Sequence, residues 1–261
     1  MQIQYKAYKF DLSKPLDISI PLQNDGGNPK AFYAPDFNFS PVKTDEFIGS
    51  TTDGGILNFK NIIINPHGNG THTECLGHIT ENNFTINKCL KDFHFLCQVV
   101  SIKPEKQSNG DLVITEKQIN NIVFKKDVTA ITIRTTPNNS TKKTKDWSGT
   151  NHPFIDHKAM KVLVEKGIEH FLIDSPSVDK ENDEGKLLAH KTFWNLLNST
   201  TEKKGAVLID DENDLDRKHC TITEMIFVPN HIEDGLYLMN IMIMPIEMDA
   251  SPSKILLYKF Y

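Results

Sequence analysis

The chain has only four cysteines, Cys75, Cys89, Cys97 and Cys220, with no CxxC pair among them. That argues against a disulfide scaffold or a structural zinc ribbon and fits a reducing compartment. No apolar run approaches the roughly 20 residues of a membrane span. Met1 to Phe10 mixes charges with aromatics and lacks a basic segment followed by an apolar core, so a secretory leader is not expected. A broad basic surface is also missing, because Lys, Asp and Glu are interspersed and the formal net charge is -5 with a pI near 6.1. Nucleic acid is therefore a poor partner. The expectation is a soluble, cytoplasmic protein without nucleic-acid or membrane partners.

What is present is enough apolar material for a core: 38% of the 261 residues are hydrophobic, which fits folding rather than disorder. No repeat period appears. Residues 23 to 58 carry Gly26, Gly27, Pro29, Pro35, Pro41, Gly49, Gly54 and Gly55, which reads as a long structured loop over a site. Phe59 to Asn65 runs apolar through Ile62, Ile63 and Ile64 before Pro66 and predicts a buried strand. Gln98 to Ile102 and Val128 to Arg134 predict strands, separated by a short helix from Thr115 to Ile122 opened by a Thr cap. Asp156 to Lys166 predicts a helix ending at Gly167. Phe171 to Asp174 follows as a strand, Lys191 to Leu197 as a helix, and Ala206 to Ile209 and Thr221 to Val228 as strands. Leu236 to Met244 and Ile255 to Phe260 close the chain as strands. Alternation in the middle with strands at both ends predicts one mixed-sheet α/β domain over residues 1–261.

Within twelve residues stand His67, His72, Glu74 and His78, with Asn69, Gly70 and Thr71 between the first two histidines. In an extended segment residues i and i+2 point the same way, so His72 and Glu74 would offer a nitrogen and an oxygen ligand to one pocket. Gly68 and Gly70 allow the sharp backbone turn that would bring His67 to the same point. Spacing alone leaves two readings open, a metal site or hydrogen-bonded structural histidines.

The run Gly70-Thr71-His72-Thr73-Glu74-Cys75-Leu76-Gly77-His78 resembles the HxGTHxDxPxH signature of the cyclase family, which contains bacterial kynurenine formamidases and isatin hydrolases. Other segments follow in the family's order: Phe10-Asp11-Leu12-Ser13 with Ile20-Pro21, then Ile173 to Asp179, which resembles DxxSVD. After these come His190, Thr223-Glu224, Pro245 and Ser251-Pro252-Ser253. The resemblance implies a swivelling β/β/α fold, assembled as a homodimer or homotetramer, with one or two divalent metals, zinc first and manganese second. It places His72 and Glu74 on metal ligands and His190 and Glu224 on a second metal position. His78 falls on the histidine that moves a proton. It also implies a metal-dependent amide hydrolase, an arylformamidase of tryptophan catabolism acting on an aromatic amide such as N-formylkynurenine.

Three positions depart from the pattern. The family's first histidine falls on Gly68, and His67 stands one place away. In a strand that shift reverses the side chain, so His67 would be a ligand only if the glycines bulge the backbone. Glu74 replaces an aspartate, and Leu76 a proline. A long insertion between His190 and Glu224 carries Asp210, Asp211, Glu212, Asp214 and Asp216, read as a solvated loop. A bound divalent ion would polarise the substrate carbonyl and lower the pKa of its water. Phe32, Tyr33, Phe37 and Phe39 read as walls for an aromatic substrate or as loop anchors, and Trp147 and His152 carry the same two readings. Ser175 and Ser177 lie outside any GxSxG and are not expected nucleophiles. The alternatives are a cyclic amide hydrolase like isatin hydrolase, or a non-catalytic member that binds a small molecule at a degenerate site.

Overall fold

The structure, a computed structural model, describes residues 1–24, 26–197, 201–203, 206–209 and 215–261. A hairpin, β1 (Gln2–Tyr5) and β2 (Tyr8–Asp11), opens the chain, followed by the short β3 (Leu16–Asp17). β4 (Asn38–Pro41) and β5 (Lys60–Ile63) pair with each other, and β6 (His72–Glu74) leads to the single-turn α1 (Ile86–Cys89). Next come β7 (His94–Ile102), β8 (Glu105–Lys106), β9 (Leu112–Ile114), α2 (Glu116–Asn120), β10 (Ala130–Thr135) and β11 (Phe154–Ile155). Then follow α3 (His157–Glu165), β12 (His170–Ile173), α4 (Leu188–Phe193), β13 (Thr201–Lys203) and β14 (Ala206–Leu208). β15 (Thr221–Glu224), β16 (Gly235–Ile243) and β17 (Ala250–Lys259) end it.

The main sheet runs β16-β7-β10-β12-β15-β6-β17-β3, and a further β16–β17 pairing closes seven of these strands into a barrel-like mixed sheet. β7, β10, β12 and β15 are parallel and supply the α/β part, while β6, β16 and β17 are antiparallel to their neighbours. Every residue of β10 is buried, as expected for a parallel strand covered on both faces, and its Ile131 and Ile133 lie in the core. That core extends from Phe10 through Leu96, Leu163 and Phe171 to Leu257. α2 is held by a capping box between Thr115 and Gln118. In α3 Asp156 caps Lys158 N at 2.7 Å, Ala159, Met160, Val162 and Leu163 face inward, and Gly167 at φ +79° turns the chain out. The mixed α/β fold expected from the sequence is thus observed. Among the described residues no helix is long and apolar enough to cross a membrane.

The segment Phe59 to Asn65 corrects a sequence expectation. It is no buried strand: β5 pairs only with β4, outside the main sheet, and Ile62 and Ile63 are 65% and 61% exposed. An apolar run is buried only if something packs over it, and among the described residues nothing covers this hairpin face. Several boundaries also differ, among them β7, which starts at His94 and not at Gln98, and β17, which starts at Ala250 and not at Ile255. α4 starts at Leu188, before the expected Lys191, and β15 stops at Glu224 because Met225 takes φ +50°.

Candidate metal centre

β6 lies between β15 and β17, and its alternation sends His72 and Glu74 to one side and Thr73 to the other. Thr73 Oγ1 meets Thr223 Oγ1 and Ser253 Oγ, both at 2.9 Å, and so ties all three strands together. The antiparallel register sets Glu224 directly opposite His72, with Glu224 Oε2 3.4 Å from His72 Nε2. Glu224 Oε1 accepts the Val178 N–H at 2.8 Å. The left-handed turn at Met225 ends the strand immediately beyond it.

His190 arrives from the first turns of α4. Asp179 holds it there: Oδ1 accepts Ala189 N–H, Oδ2 accepts His190 N–H, and Oδ2 also takes His190 Nδ1 at 2.6 Å. The other ring nitrogen, Nε2, stands 3.1 Å from Glu74 Oε1 and 3.9 Å from Glu224 Oε1. His72, Glu74, Glu224 and His190 are all buried.

His67 stands in a turn, not in a strand. Asn65 O accepts the N–H groups of Gly68 and Asn69, Asn65 Oδ1 also accepts Gly68 N–H, and Gly70 takes φ +80°. A one-residue displacement therefore does not reverse the side chain, since strand alternation does not apply in a turn. His67 Nδ1 reaches to 3.1 Å from Glu74 Oε2, and Nε2 to 2.7 Å from Asp249 Oδ2. Gly68, at the position where the family has its histidine, is pressed against the 31–34 loop, and a Cβ there would sit 2.2 Å from Ala34 Cβ. His78, on a 3-10 turn (Leu76–His78), stacks on His67 at 4.1 Å between ring centroids. Its Nδ1 is 3.4 Å from Asp249 Oδ2, and its Nε2 3.8 Å from Glu74 Oε2.

The hydrogen bonds fix which nitrogen of each ring faces inward. Carboxylates and carbonyls only accept, so a ring nitrogen against one of them carries the proton. Asp249 takes His67 Nε2 and His78 Nδ1, Asp179 takes His190 Nδ1, and Gly70 O takes His72 Nδ1 at 3.0 Å. A ring that keeps one proton then aims a lone pair at Glu74 or Glu224, which are themselves acceptors, whereas a doubly protonated ring donates on both sides, the arrangement in which His190 Nε2 bonds Glu74 Oε1 at 3.1 Å. Lone pairs facing lone pairs are tolerable only with a proton or a cation between them. The buried His72 Nε2 and Glu74 Oε2 indeed lack any aligned hydrogen bond. Protonation is one answer: burial opposes charge on His67, yet Asp249 and Glu74 outweigh it and raise its pKa to about 10. His190 is likewise raised well above the usual value against its burial, by Asp179 and Glu74. Burial works against ionisation of Glu74 too, but His78, His190 and His67 hold its pKa well below the ordinary range.

A divalent cation is the other answer, and the donor set fits one. His67, Glu74 and His78 offer ligand atoms within 4.8 Å of one another, and so do His72, Glu74 and Glu224. Two donors on one zinc ion stand on the order of 3–3.5 Å apart, and the central contacts here run from 3.1 to 3.8 Å. Glu74 belongs to both groups.

All six residues singled out in the sequence, His67, His72, Glu74, His78, His190 and Glu224, thus converge. Two carboxylates were not assigned a role there: Asp179, quoted only within its motif, and Asp249, a lone acid ahead of β17. His152 is a further buried imidazole. Its Nδ1 bonds Pro153 O at 3.1 Å, its Nε2 has no partner, and burial lowers its pKa. Phe32 lies edge-on to it at 6.1 Å, while Tyr33 is 80% exposed and Phe37 packs on Phe39. Ser175 Oγ donates to Pro153 O at 2.6 Å, a structural bond that occupies its hydroxyl proton. Residues 210–214 of the acidic insertion lie outside the described residues.

The profile of the cyclase family, described as "Putative cyclase", matches residues 10–180, more than half of the chain, which therefore belongs to that family. Solved structures share its fold across nearly the whole length. One is a "potential metal-dependent hydrolase with cyclase activity", 18% identical, with a TM-score of 0.62 over 94% of this chain and 98% of the other. Isatin hydrolase A from Labrenzia aggregata is 14% identical, with a TM-score of 0.63 over 95% and 94%. Isatin hydrolase A from Ralstonia solanacearum is 12% identical, with a TM-score of 0.61 over 94% and 91%. The search of curated proteins returns no match.

Proposed function

We propose that this chain is a metal-dependent amide hydrolase that cleaves the C–N bond of an aryl formamide such as N-formylkynurenine, giving formate and the aromatic amine. The observation that carries the reading is the set of four imidazoles whose outer nitrogens are committed to acceptors while the inner ones face Glu74 and Glu224. His67, His72, Glu74, His190 and Glu224 would hold one or two divalent ions, zinc in the first place. When bound, such an ion supplies carbonyl polarisation and a lowered pKa for water.

The chain's own groups do the rest. His78 is 31% exposed, in contrast to the buried His72 and His190, which suits a group that must meet substrate and solvent. Its Nε2 accepts the proton of the attacking water and returns it to the departing nitrogen. Buried Glu224 and His190, braced by Val178 N–H and Asp179, keep the carbonyl side of the site rigid. Phe32, over His152, gives an aromatic ring a wall to rest on. A cyclic amide is the second reading, favoured by the isatin hydrolases among the structural neighbours. Assembly as a homodimer or homotetramer is supported by the uncovered apolar side chains of Ile56, Ile62 and Ile63. Light scattering of the purified protein tests it.

The test of function is direct. Untagged protein is assayed for bound zinc and manganese and then given N-formylkynurenine and isatin side by side. One or two ions per chain with faster turnover of the formamide support the first reading. Turnover of isatin alone selects the second. A chain that takes up metal but cleaves neither leaves the reaction class open, and a chain that takes up no metal ends the hydrolase reading and favours a binding protein with a degenerate site.

A further inference from the structure

We infer that Asp249 is the positioning residue that makes the displaced His67 a metal ligand, by fixing the rings of His67 and His78 together; the inference rests on the metal-site reading above. One oxygen, Oδ2, lies 2.7 Å from His67 Nε2 and 3.4 Å from His78 Nδ1. On the other side Glu74 Oε2 lies 3.1 Å from His67 Nδ1 and 3.8 Å from His78 Nε2. Two stacked imidazoles are thus enclosed between two carboxylates, with opposite nitrogens assigned to the same wall. Asp249 can only accept, so it selects the Nε2–H form of His67 and the Nδ1–H form of His78. The nitrogens left with a lone pair are then His67 Nδ1, turned toward the cation site, and His78 Nε2, left to take up a proton, both facing Glu74.

The carboxylate is itself well placed to do this. Ala250 pairs with Glu74 in the β17–β6 ladder, and Cys75 N–H donates to Asp249 O at 2.9 Å, so the backbones carrying the two walls are bonded to each other. Gly77 leaves room for the approach, since a Cβ there would come within 3.3 Å of Asp249 Cβ and within 2.1 Å of Phe84 O. His67 has no comparable support from its own segment. It stands on a turn, is 25% exposed, and its ring nitrogens find their partners outside that turn, Nδ1 on β6 at Glu74 and Nε2 far along the chain at Asp249. Without Asp249 its ring is free to rotate away from Glu74. A carboxylate behind a ligating imidazole both orients the ring and raises its basicity.

Asp249→Asn keeps the shape but removes the negative charge that both imidazole N–H groups face, leaving a weaker, neutral acceptor in the place of Oδ2. Calorimetric titration of the metal-free proteins with zinc alone should show affinity falling roughly 10- to 100-fold in D249N, with the circular-dichroism spectrum of the folded, metal-free form unchanged. In a double-mutant cycle with His67→Ala, D249N should add little to the loss already caused by H67A, because both break one unit. Wild-type affinity in D249N, or a loss fully additive with that of H67A, overturns the inference. If the wild-type protein takes up no zinc, the hydrolase reading fails on its own account. Crystal structures of the wild-type and D249N proteins then decide the point, since a His67 Nδ1 that stays beside Glu74 without Asp249 refutes positioning.

Discussion

The two sides of the centre are built from different material. On one side His72 and Glu74 share a strand, Glu224 faces His72 across a ladder, and His190 rides on a helix held by Asp179; all are buried. On the other side His67 comes from a turn, His78 from a 3-10 turn and Asp249 from the residue before β17, each between 25% and 31% exposed. The strand ladder, with Asp179 behind His190, sets the geometry of the first side, whereas the second rests on turns joined through the side chain of Asp249. A site so divided can shift a ligand by one residue on its loop side and keep the strand side intact. Glu74, facing both, joins them.

If that division is real, the largest effect belongs to the shared carboxylate. Glu74→Gln should abolish stoichiometric metal, measured by elemental analysis, with a loss in affinity beyond the roughly 100-fold that marks the upper end for changes behind a ligand. Retention of even one tightly held ion would mean that Glu74 is not common to both groups. Next in size is His72→Ala, which should remove activity and the ion on the strand side, while Cys75→Ala, one residue past Glu74, leaves both nearly intact. Cys75 packs in the core with its thiol toward Phe84 O and has no part in the centre. Equal losses in the two variants would contradict the assignment.

How much of this could be read in the sequence follows the same division. His72 and Glu74 were legible as a pair because the segment is a strand, and period-two alternation is a local property. His67 was legible only in part: Gly68 and Gly70 pointed to a turn that could bring it in, while strand alternation argued against it, and it is Asn65 that folds the chain into the turn. α4 begins earlier than its apolar pattern suggests because Asp179, ten residues before Ala189, accepts the N–H groups of Ala189 and His190. No local capping motif announces that. Phe59 to Asn65 reads as buried because composition reports apolarity and not what packs over it. Asp249 carries no periodic signal, and only the ladder between β17 and β6 brings it to the histidines.

Acidity should separate the two sides more gently than mutation does. The folded pKa of His67 is raised to about 10 from a usual 6.5, with burial opposing and Asp249 and Glu74 prevailing. In the metal-free protein its contribution to stability is therefore full below about pH 6.5 and is lost as pH climbs through about 10. Bound metal replaces that proton. The melting-temperature difference between metal-loaded and metal-free protein should then widen from pH 6 to 9, and zinc binding should release protons, seen as a buffer-dependent enthalpy. A constant difference across that range would show that His67 does not exchange a proton for the ion.

The smallest effect expected is that of Gly68→Ala. Its Cβ would lie 2.2 Å from Ala34 Cβ and 3.3 Å from Ala31 O, so the 31–34 loop must move and weaken the bond from Ala31 N–H to Gly68 O. Overpacking of this kind costs about 1–3 kcal/mol, or roughly 2–4 °C in melting temperature per kcal/mol for a chain of this size. The strain falls on the turn that carries His67 and does not reach the ladder that carries His72 and Glu224. Zinc affinity should therefore drop by less than tenfold while the strand side keeps its ion. A loss as deep as that of Glu74→Gln would mean that the turn and the ladder yield as one body, and the division between them would not hold.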